Sequence, residues 1–133
     1  LKLRQMGGSP VIAWGGSAGA HFAAHLALDG LVDAAICYSG PYSPEPRPTA
    51  AAAWVSWADL LPLVRPGTSR MLLINSRREL MPAEQAQQLF AATDDHGERW
   101  SVDLFIRTGR GHSMTYLEDV WPITRQFLRA WMP

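Results

Sequence analysis

Four short segments with strand patterns, separated by segments with helical spacing, constrain the fold of this chain more than any other feature. Residues 10–14, 32–38 and 71–74 are apolar runs, and residues 101–106 alternate between polar and apolar side chains. Apolar runs of this length are typical of buried strands, and their alternation with helices is typical of a parallel sheet that is covered on both faces. We therefore predict an α/β fold and one domain over residues 1–133.

The segments between the runs predict helices wherever apolar residues recur at three- and four-residue spacing. Proline punctuates two of these helices: Pro82 lies in the first turn of one, and Pro122 is expected to bend the last. Four prolines within residues 41–48 predict an extended loop instead. We interpret residues 41–66 as a cap or loop insertion, in which Trp54 and Trp57 either line an apolar wall for substrate or pack in the core. The predicted helices cover residues 17–28, 50–61, 82–93 and 114–131.

The charge balance excludes several classes of partner. Among 133 residues, twelve basic side chains balance twelve acidic ones, whereas nucleic acids and anionic membranes usually select basic proteins. No apolar run approaches the roughly 18 residues of a membrane span. Cys37 is the single cysteine, so no disulfide can form within the chain, and its apolar neighbours predict burial. The given sequence shows no signal-like segment, which favours the cytoplasm without fixing the compartment.

A glycine-flanked serine lies between the first predicted strand and the first predicted helix. Residues 15–19 read Gly-Gly-Ser-Ala-Gly and fit the G-x-S-x-G pattern of a nucleophile elbow, which needs this strand–turn–helix context. Glycines at positions 15 and 19 are expected to remove clashes around a strained turn at Ser17. The backbone N–H of Ala18 would then form one half of an oxyanion hole. Alternatively, Ser17 only caps the helix.

An activated serine needs an imidazole base and an acidic residue that orients it. His112 follows the fourth predicted strand after a glycine-rich loop, at the sheet edge where such folds hold their chemistry. Glu79 has the one carboxylate in residues 75–82, although it could instead be a solvated residue paired with Arg77 or Arg78. The chain order of serine, acid and histidine is that of α/β-hydrolases.

The other histidines are less suited to these roles. His21 and His25 lie four residues apart on the first predicted helix, a spacing that can bind zinc, but the sequence offers no evident third ligand. We therefore expect His21 to pack and to hydrogen-bond near its own helix, and we expect no metal and no cofactor. His96 lies in a polar loop at the opposite end of its strand and is set aside.

Three segments resemble the α/β-hydrolase-fold esterases, in particular the group of acetyl esterases, hormone-sensitive-lipase-like carboxylesterases and kynurenine-formamidase-like enzymes. They are residues 11–21, which surround Ser17, residues 72–82 and residues 109–112. The resemblance implies a C-terminal portion of such an enzyme. The N-terminal half of the sheet would lie upstream, together with a loop that supplies the second oxyanion amide. The family usually has aspartate four residues before the proline, where this chain has Arg78, with Glu79 one position later.

These features predict a serine hydrolase that cleaves the ester or amide bond of a small substrate through Ser17, His112 and Glu79. The same residues would also serve acyl transfer to an acceptor other than water. A different alternative is a catalytically silent hydrolase-fold fragment that acts as an assembly or interaction module. In either case we expect an open sheet edge that an N-terminal half, a partner chain or another copy would cover.

Overall fold

The computed structural model describes residues 2–43, 59–95 and 102–132. Within these ranges the order of elements is helix α1, strand β1, helix α2, strand β2, strand β3, helix α3, strand β4 and helix α4. Short 3-10 helices cover Leu61–Leu63 and Ser113–Tyr116. The bounds are α1 Lys2–Gln5, β1 Ile12–Gly16, α2 Ala18–Leu28, β2 Ala34–Tyr38, β3 Arg70–Arg78, α3 Ala83–Asp95, β4 Val102–Arg110 and α4 Leu117–Arg129.

The described strands form one sheet in the order β1-β2-β3-β4, and each neighbouring pair is parallel. Alternate residues of β2 and β3 face opposite sides. Ala35, Cys37 and Leu73 pack with α2 and α3 on one face, whereas Ile36 and Ile74 pack with α4 on the other. Both faces are therefore covered by helices, and the α/β prediction is confirmed. None of the described helices is long and apolar enough to cross a membrane.

The strands begin or end at different residues from those predicted. β1 continues through Gly15 and Gly16, which pair with Cys37 and Tyr38 of β2 rather than forming the turn itself. β3 and β4 are longer than predicted, and their pairing extends to Arg78 and Arg110 across a register shift. We predicted residues 108–111 as a glycine-rich loop and residues 75–82 as the loop that contains Glu79; residues 108–110 and 75–78 lie in strands instead. Strand pairing outweighs the local turn preferences of glycine and polar residues.

The predicted helix over residues 50–61 lies largely outside the described residues, as do Trp54, Trp57, His96 and residues 44–58 of the predicted cap. Within the described part, Asp59 and Leu60 are not helical. The final predicted helix divides into a 3-10 turn and α4, which continues through Pro122. Cys37 is fully buried, as predicted, and burial raises the pKa of its thiol to about 12.

The turn from β1 into α2 brings two backbone segments very close together. A Cβ atom added at Gly15 would lie 2.2 Å from the carbonyl oxygen of Gly19, so this position has no space for a side chain. A Cβ atom at Gly19 itself would meet nothing within 4 Å. The prediction that glycine is needed to avoid a clash is therefore supported at Gly15 and wrong at Gly19. Gly16, for which we predicted no such role, would place a Cβ atom 1.9 Å from the hydroxyl oxygen of Ser113.

The segment that follows β2 is held from both sides. His21 is buried, and its Nδ1 lies 2.8 Å from the carbonyl oxygen of Pro41. The side-chain oxygen of Gln85 accepts hydrogen bonds from the backbone N–H groups of Tyr42 and Ser43, at 2.6 and 3.0 Å. Burial lowers the pKa of His21, which therefore donates from Nδ1 as a neutral ring. His21 thus anchors the start of the region that we predicted as a cap.

Substitution of the two turn glycines should have opposite effects. We expect Gly15→Ala to lower the free energy of unfolding by about 1–3 kcal/mol or more, because a backbone contact must open. We expect Gly19→Ala to leave it unchanged or to raise it by about 0.5–1 kcal/mol, because alanine favours a helix over glycine. Urea unfolding of both variants measures these changes. Equal destabilisation by the two substitutions would contradict the close approach seen only at Gly15.

Protonation of His21 should destabilise the fold. Because its folded-state pKa lies below the ordinary value of 6.5, the unfolded chain binds more protons as the pH falls through that value. The free energy of unfolding should therefore decrease between about pH 7.5 and pH 5.5, and His21→Gln should reduce this slope. His25→Gln, at a half-exposed histidine of the same helix, is the control; His25 itself contributes to the lowered pKa of His21, but burial is the larger cause. If His21→Gln has the slope of the parent chain, His21 is not the group that titrates.

Candidate active site

Ser17 lies at the sharp turn between β1 and α2. Its backbone has φ 55° and ψ −121°, a conformation that non-glycine residues adopt at a cost on the order of 1–3 kcal/mol. The N–H of Ser17 donates to the carbonyl oxygen of Tyr38 at 2.8 Å, which ties the turn to the end of β2. The Ser17 side chain makes no capping hydrogen bond to α2, so the interpretation of this serine as a simple helix cap is wrong.

The hydroxyl of Ser17 contacts the imidazole of His112. The distance from Ser17 Oγ to His112 Nε2 is 2.9 Å, and the distance from His112 Nδ1 to Glu79 Oε1 is 2.8 Å. Because a carboxylate can only accept, the ring donates from Nδ1, and Nε2 then accepts the hydroxyl proton of Ser17. The structure thus brings together the three side chains that the sequence singled out, although Ser17 and His112 are 95 positions apart in the sequence.

Glu79 is buried and fully partnered. Its side chain has no exposed surface, and its second carboxylate oxygen, Oε2, accepts hydrogen bonds from the N–H of Ser76 and the hydroxyl of Ser39, each at 2.7 Å. Arg77 and Arg78 are exposed at the end of β3. The alternative of a solvated glutamate paired with one of these arginines is therefore wrong. The carboxylate is oriented, with Oε1 directed at the imidazole.

Ala18 is the first residue of α2, immediately after Ser17. The first N–H groups of an α-helix have no partner within the helix and lie at the positive end of its dipole. This position could therefore stabilise negative charge that develops next to Ser17 Oγ, which is what we predicted for the Ala18 amide.

His21 and His25 do not join this group. His21 is directed at the carbonyl oxygen of Pro41, and Nε2 of His25 lies 3.3 Å from a carboxylate oxygen of Asp29. Within the described ranges, no three histidine, cysteine or acidic side chains are arranged to hold a metal ion. The ring of His21 packs edge-on against Phe22 and His25 on its own helix, and its hydrogen bond to Pro41 reaches the segment after β2.

Sequence reasoning missed three residues around Glu79. Ser39 follows β2 directly and donates to the Glu79 carboxylate. Tyr116 lies over the same serine, and its hydroxyl contacts Ser39 Oγ. Arg107 donates to the hydroxyl of Ser76 at 2.8 Å and stacks over the ring of Tyr116. The position of Ser39 at the carboxyl end of a parallel strand is a signal that could have identified it.

No family model and no curated protein matches this sequence. Several solved structures are similar in fold. An esterase of Pyrococcus furiosus has 18% identity and a TM-score of 0.72, and the match covers 92% of this chain and 53% of that one. An acylaminoacyl peptidase of Pyrococcus horikoshii has 15% identity and a TM-score of 0.69, with 96% and 25% covered.

A third similar structure is esterase 2 of Thermogutta terrifontis phosphonylated by sarin. It has 16% identity and a TM-score of 0.67, and the match covers 88% of this chain and 55% of that one. The chain therefore spans about half the length of the two esterases. At these identities the likeness concerns the fold: the chain has the α/β-hydrolase fold of esterases and of a peptidase, as the resemblance in its motifs implied.

Proposed function

We propose that the chain carries the nucleophile, base and acid of a serine hydrolase that acts on carboxylic ester or amide bonds of small substrates. The observation that carries this proposal is the unbroken series of contacts from Ser17 Oγ to His112 Nε2 and from His112 Nδ1 to Glu79 Oε1. A serine next to a histidine that is oriented by a buried carboxylate is the arrangement that nucleophilic acyl transfer needs. The esterases and the peptidase of similar fold support the choice of ester and amide substrates.

In the first half of the reaction, Ser17 Oγ attacks the carbonyl carbon of the substrate while His112 Nε2 takes the hydroxyl proton. The Ala18 amide donates to the oxyanion of the tetrahedral intermediate. As the intermediate collapses, His112 returns the proton to the leaving alcohol or amine, and the acyl group stays on Ser17. Glu79 remains ionised and stabilises the imidazolium.

In the second half, water takes the place of the leaving group. His112 removes a proton from the water as its oxygen attacks the acyl carbon, and the second tetrahedral intermediate collapses to a free acid and the Ser17 hydroxyl. These steps use side chains and one backbone amide of the described residues, so the proposal assigns no metal or cofactor to them.

The sheet edge beside β1 is the place where additional chain would complete the site. β1 is terminal in the described sheet, and Trp14 on this strand is 41% exposed and stacked on Trp121 of α4. We propose that an upstream half, a partner chain or another copy pairs with this edge. That element would also supply the second oxyanion donor, whose loss costs on the order of 10²–10³ in rate.

The same edge also favours the second candidate, a catalytically silent assembly module. A module of this kind would form a defined oligomer through β1 without reacting with esters. Sedimentation together with an ester-hydrolysis assay distinguishes the two candidates. A stable oligomer without hydrolysis supports the module, and hydrolysis that depends on Ser17 supports the enzyme.

Substitution of any one of the three residues should nearly abolish hydrolysis of p-nitrophenyl acetate, and a second substitution should cause no further loss. We expect Ser17→Ala, His112→Ala and Glu79→Gln each to lower kcat by about 10⁴-fold or more. The Ser17→Ala/His112→Ala double variant should be no slower than either single variant, because the two side chains act as one unit. Steady-state kinetics on folded variants measures this. Independent, multiplying losses would contradict a shared catalytic unit.

A further inference from the structure

We infer that Ser39 is a positioning residue that fixes Glu79 and the backbone next to His112 relative to each other. The inference rests on the proposed function, because it assigns a role in orienting the base of that same site. Ser39 is fully buried, follows β2 directly and lies between the acid and the histidine loop. No substrate atom needs to reach it.

The backbone holds Ser39 in place by two constraints. Its N–H donates to the carbonyl oxygen of Ile74 in β3 at 2.8 Å, which continues the strand pairing beyond the end of β2. Its φ is 55°, in the left-handed region that non-glycine residues seldom adopt. A residue held in this strained conformation at the carboxyl edge of a sheet points to a function for its side chain.

The hydroxyl of Ser39 uses its one proton and both lone pairs. It donates to Glu79 Oε2 at 2.7 Å, because a carboxylate can only accept. It accepts the N–H of Ser113 at 2.9 Å. The third contact is with the hydroxyl of Tyr116, which also lies 3.2 Å from the carbonyl oxygen of Ile74, so the one phenol proton is shared between Ser39 Oγ and that carbonyl oxygen. Burial raises the pKa of Tyr116, which keeps the phenol protonated as this direction of donation requires.

The hydrogen bonds of Ser39 connect Glu79 to the backbone next to His112, in addition to the direct hydrogen bond between the Glu79 and His112 side chains. With Oε2 held by Ser39 and by the N–H of Ser76, Oε1 of Glu79 is left for His112. Ser113 follows His112 directly in the chain, so the bond from its N–H fixes the backbone that carries the imidazole. One hydroxyl therefore restrains both ends of the Glu79–His112 hydrogen bond. This restraint suits glutamate, whose extra methylene group gives the carboxylate more conformations to lose.

Two Ser39 variants test this role, so that the test does not depend on a single variant remaining folded. Ser39→Ala removes the hydroxyl and keeps a Cβ atom, whereas Ser39→Gly removes the hydroxyl and also relieves the strained φ. Ser69→Ala is the matched control: the hydroxyl of Ser69 donates to the carbonyl oxygen of Val32 at 2.7 Å, beyond the opposite end of β3. Thermal unfolding establishes that all three variants are folded before the site is measured.

The first readout is the split between kcat and KM for p-nitrophenyl acetate. We expect both Ser39 variants to lower kcat about 10- to 100-fold, the scale set by a hydrogen bond to a charged group, while KM changes by less than about threefold. Ser69→Ala should retain the kcat of the parent chain. Partial recovery in Ser39→Cys, whose thiol is a weak donor, would support the role of the hydroxyl proton.

The second readout does not require catalysis. The His112 Nδ1–H that donates to Glu79 should give a downfield proton resonance in NMR spectra, assigned by its loss in His112→Gln. We expect this resonance to broaden or move upfield in both Ser39 variants and to stay unchanged in Ser69→Ala. An unchanged resonance together with an unchanged kcat in the Ser39 variants overturns the inference. If the parent chain hydrolyses no ester but the resonance responds to Ser39, the proposed hydrolase fails and the positioning role stands.

Discussion

The parallel register of β1, β2 and β3 is the constraint on which the candidate site depends. Parallel strands end at the same edge of a sheet, so the residues that follow them are neighbours in space although they are distant in sequence. Ser17 follows β1, Ser39 follows β2 and Glu79 follows β3. Backbone hydrogen bonds from Ser17 to Tyr38 and from Ser39 to Ile74 extend this register past the strand ends. The geometry of the side chains is therefore set by the sheet.

The polar side chains of the site differ in burial, and this difference matches their different roles. Glu79 has no exposed side-chain surface, whereas the His112 side chain is 27% exposed and its ring joins the buried carboxylate to the Ser17 hydroxyl. Burial of a carboxylate destabilises the folded protein unless hydrogen-bond donors surround the carboxylate. The Glu79 carboxylate has three such donors, which belong to Ser39, Ser76 and His112. Tyr116 in turn contacts Ser39, and Arg107 donates to the hydroxyl of Ser76. The site is therefore a hydrogen-bond network in which few donors and acceptors are replaceable.

The fold class and the three contacting side chains could be predicted because they depend on local patterns. The apolar runs predicted the strands, and the glycine-flanked serine between a strand and a helix predicted the turn at Ser17. Glu79 was identified as the one carboxylate after β3, although the aspartate position of the resembling family holds Arg78. In the structure β3 continues to Arg78, and Glu79 is the first residue beyond the strand.

The remaining features depend on pairing between distant segments, which the sequence does not display. The extent of β3 and β4 follows from their mutual register, so Gly109 and Arg110 lie in a strand despite their turn-like sequence. The close approach at Gly15 depends on where α2 starts, and the lack of such contact at Gly19 could not be inferred from the motif. The sequence places Ser39 at the end of a predicted strand, but its contacts with Glu79 and Ser113 follow only from the alignment of distant segments.

Covalent labelling of the chain by a fluorophosphonate, followed by intact-mass measurement, tests most directly whether Ser17, His112 and Glu79 form a working nucleophile. We expect one adduct on the parent chain and none on folded Ser17→Ala. Peptide mapping should place the adduct on Ser17. A folded, soluble parent chain that gives no adduct, or an adduct that persists in Ser17→Ala, would show that Ser17 is not an activated nucleophile in this chain.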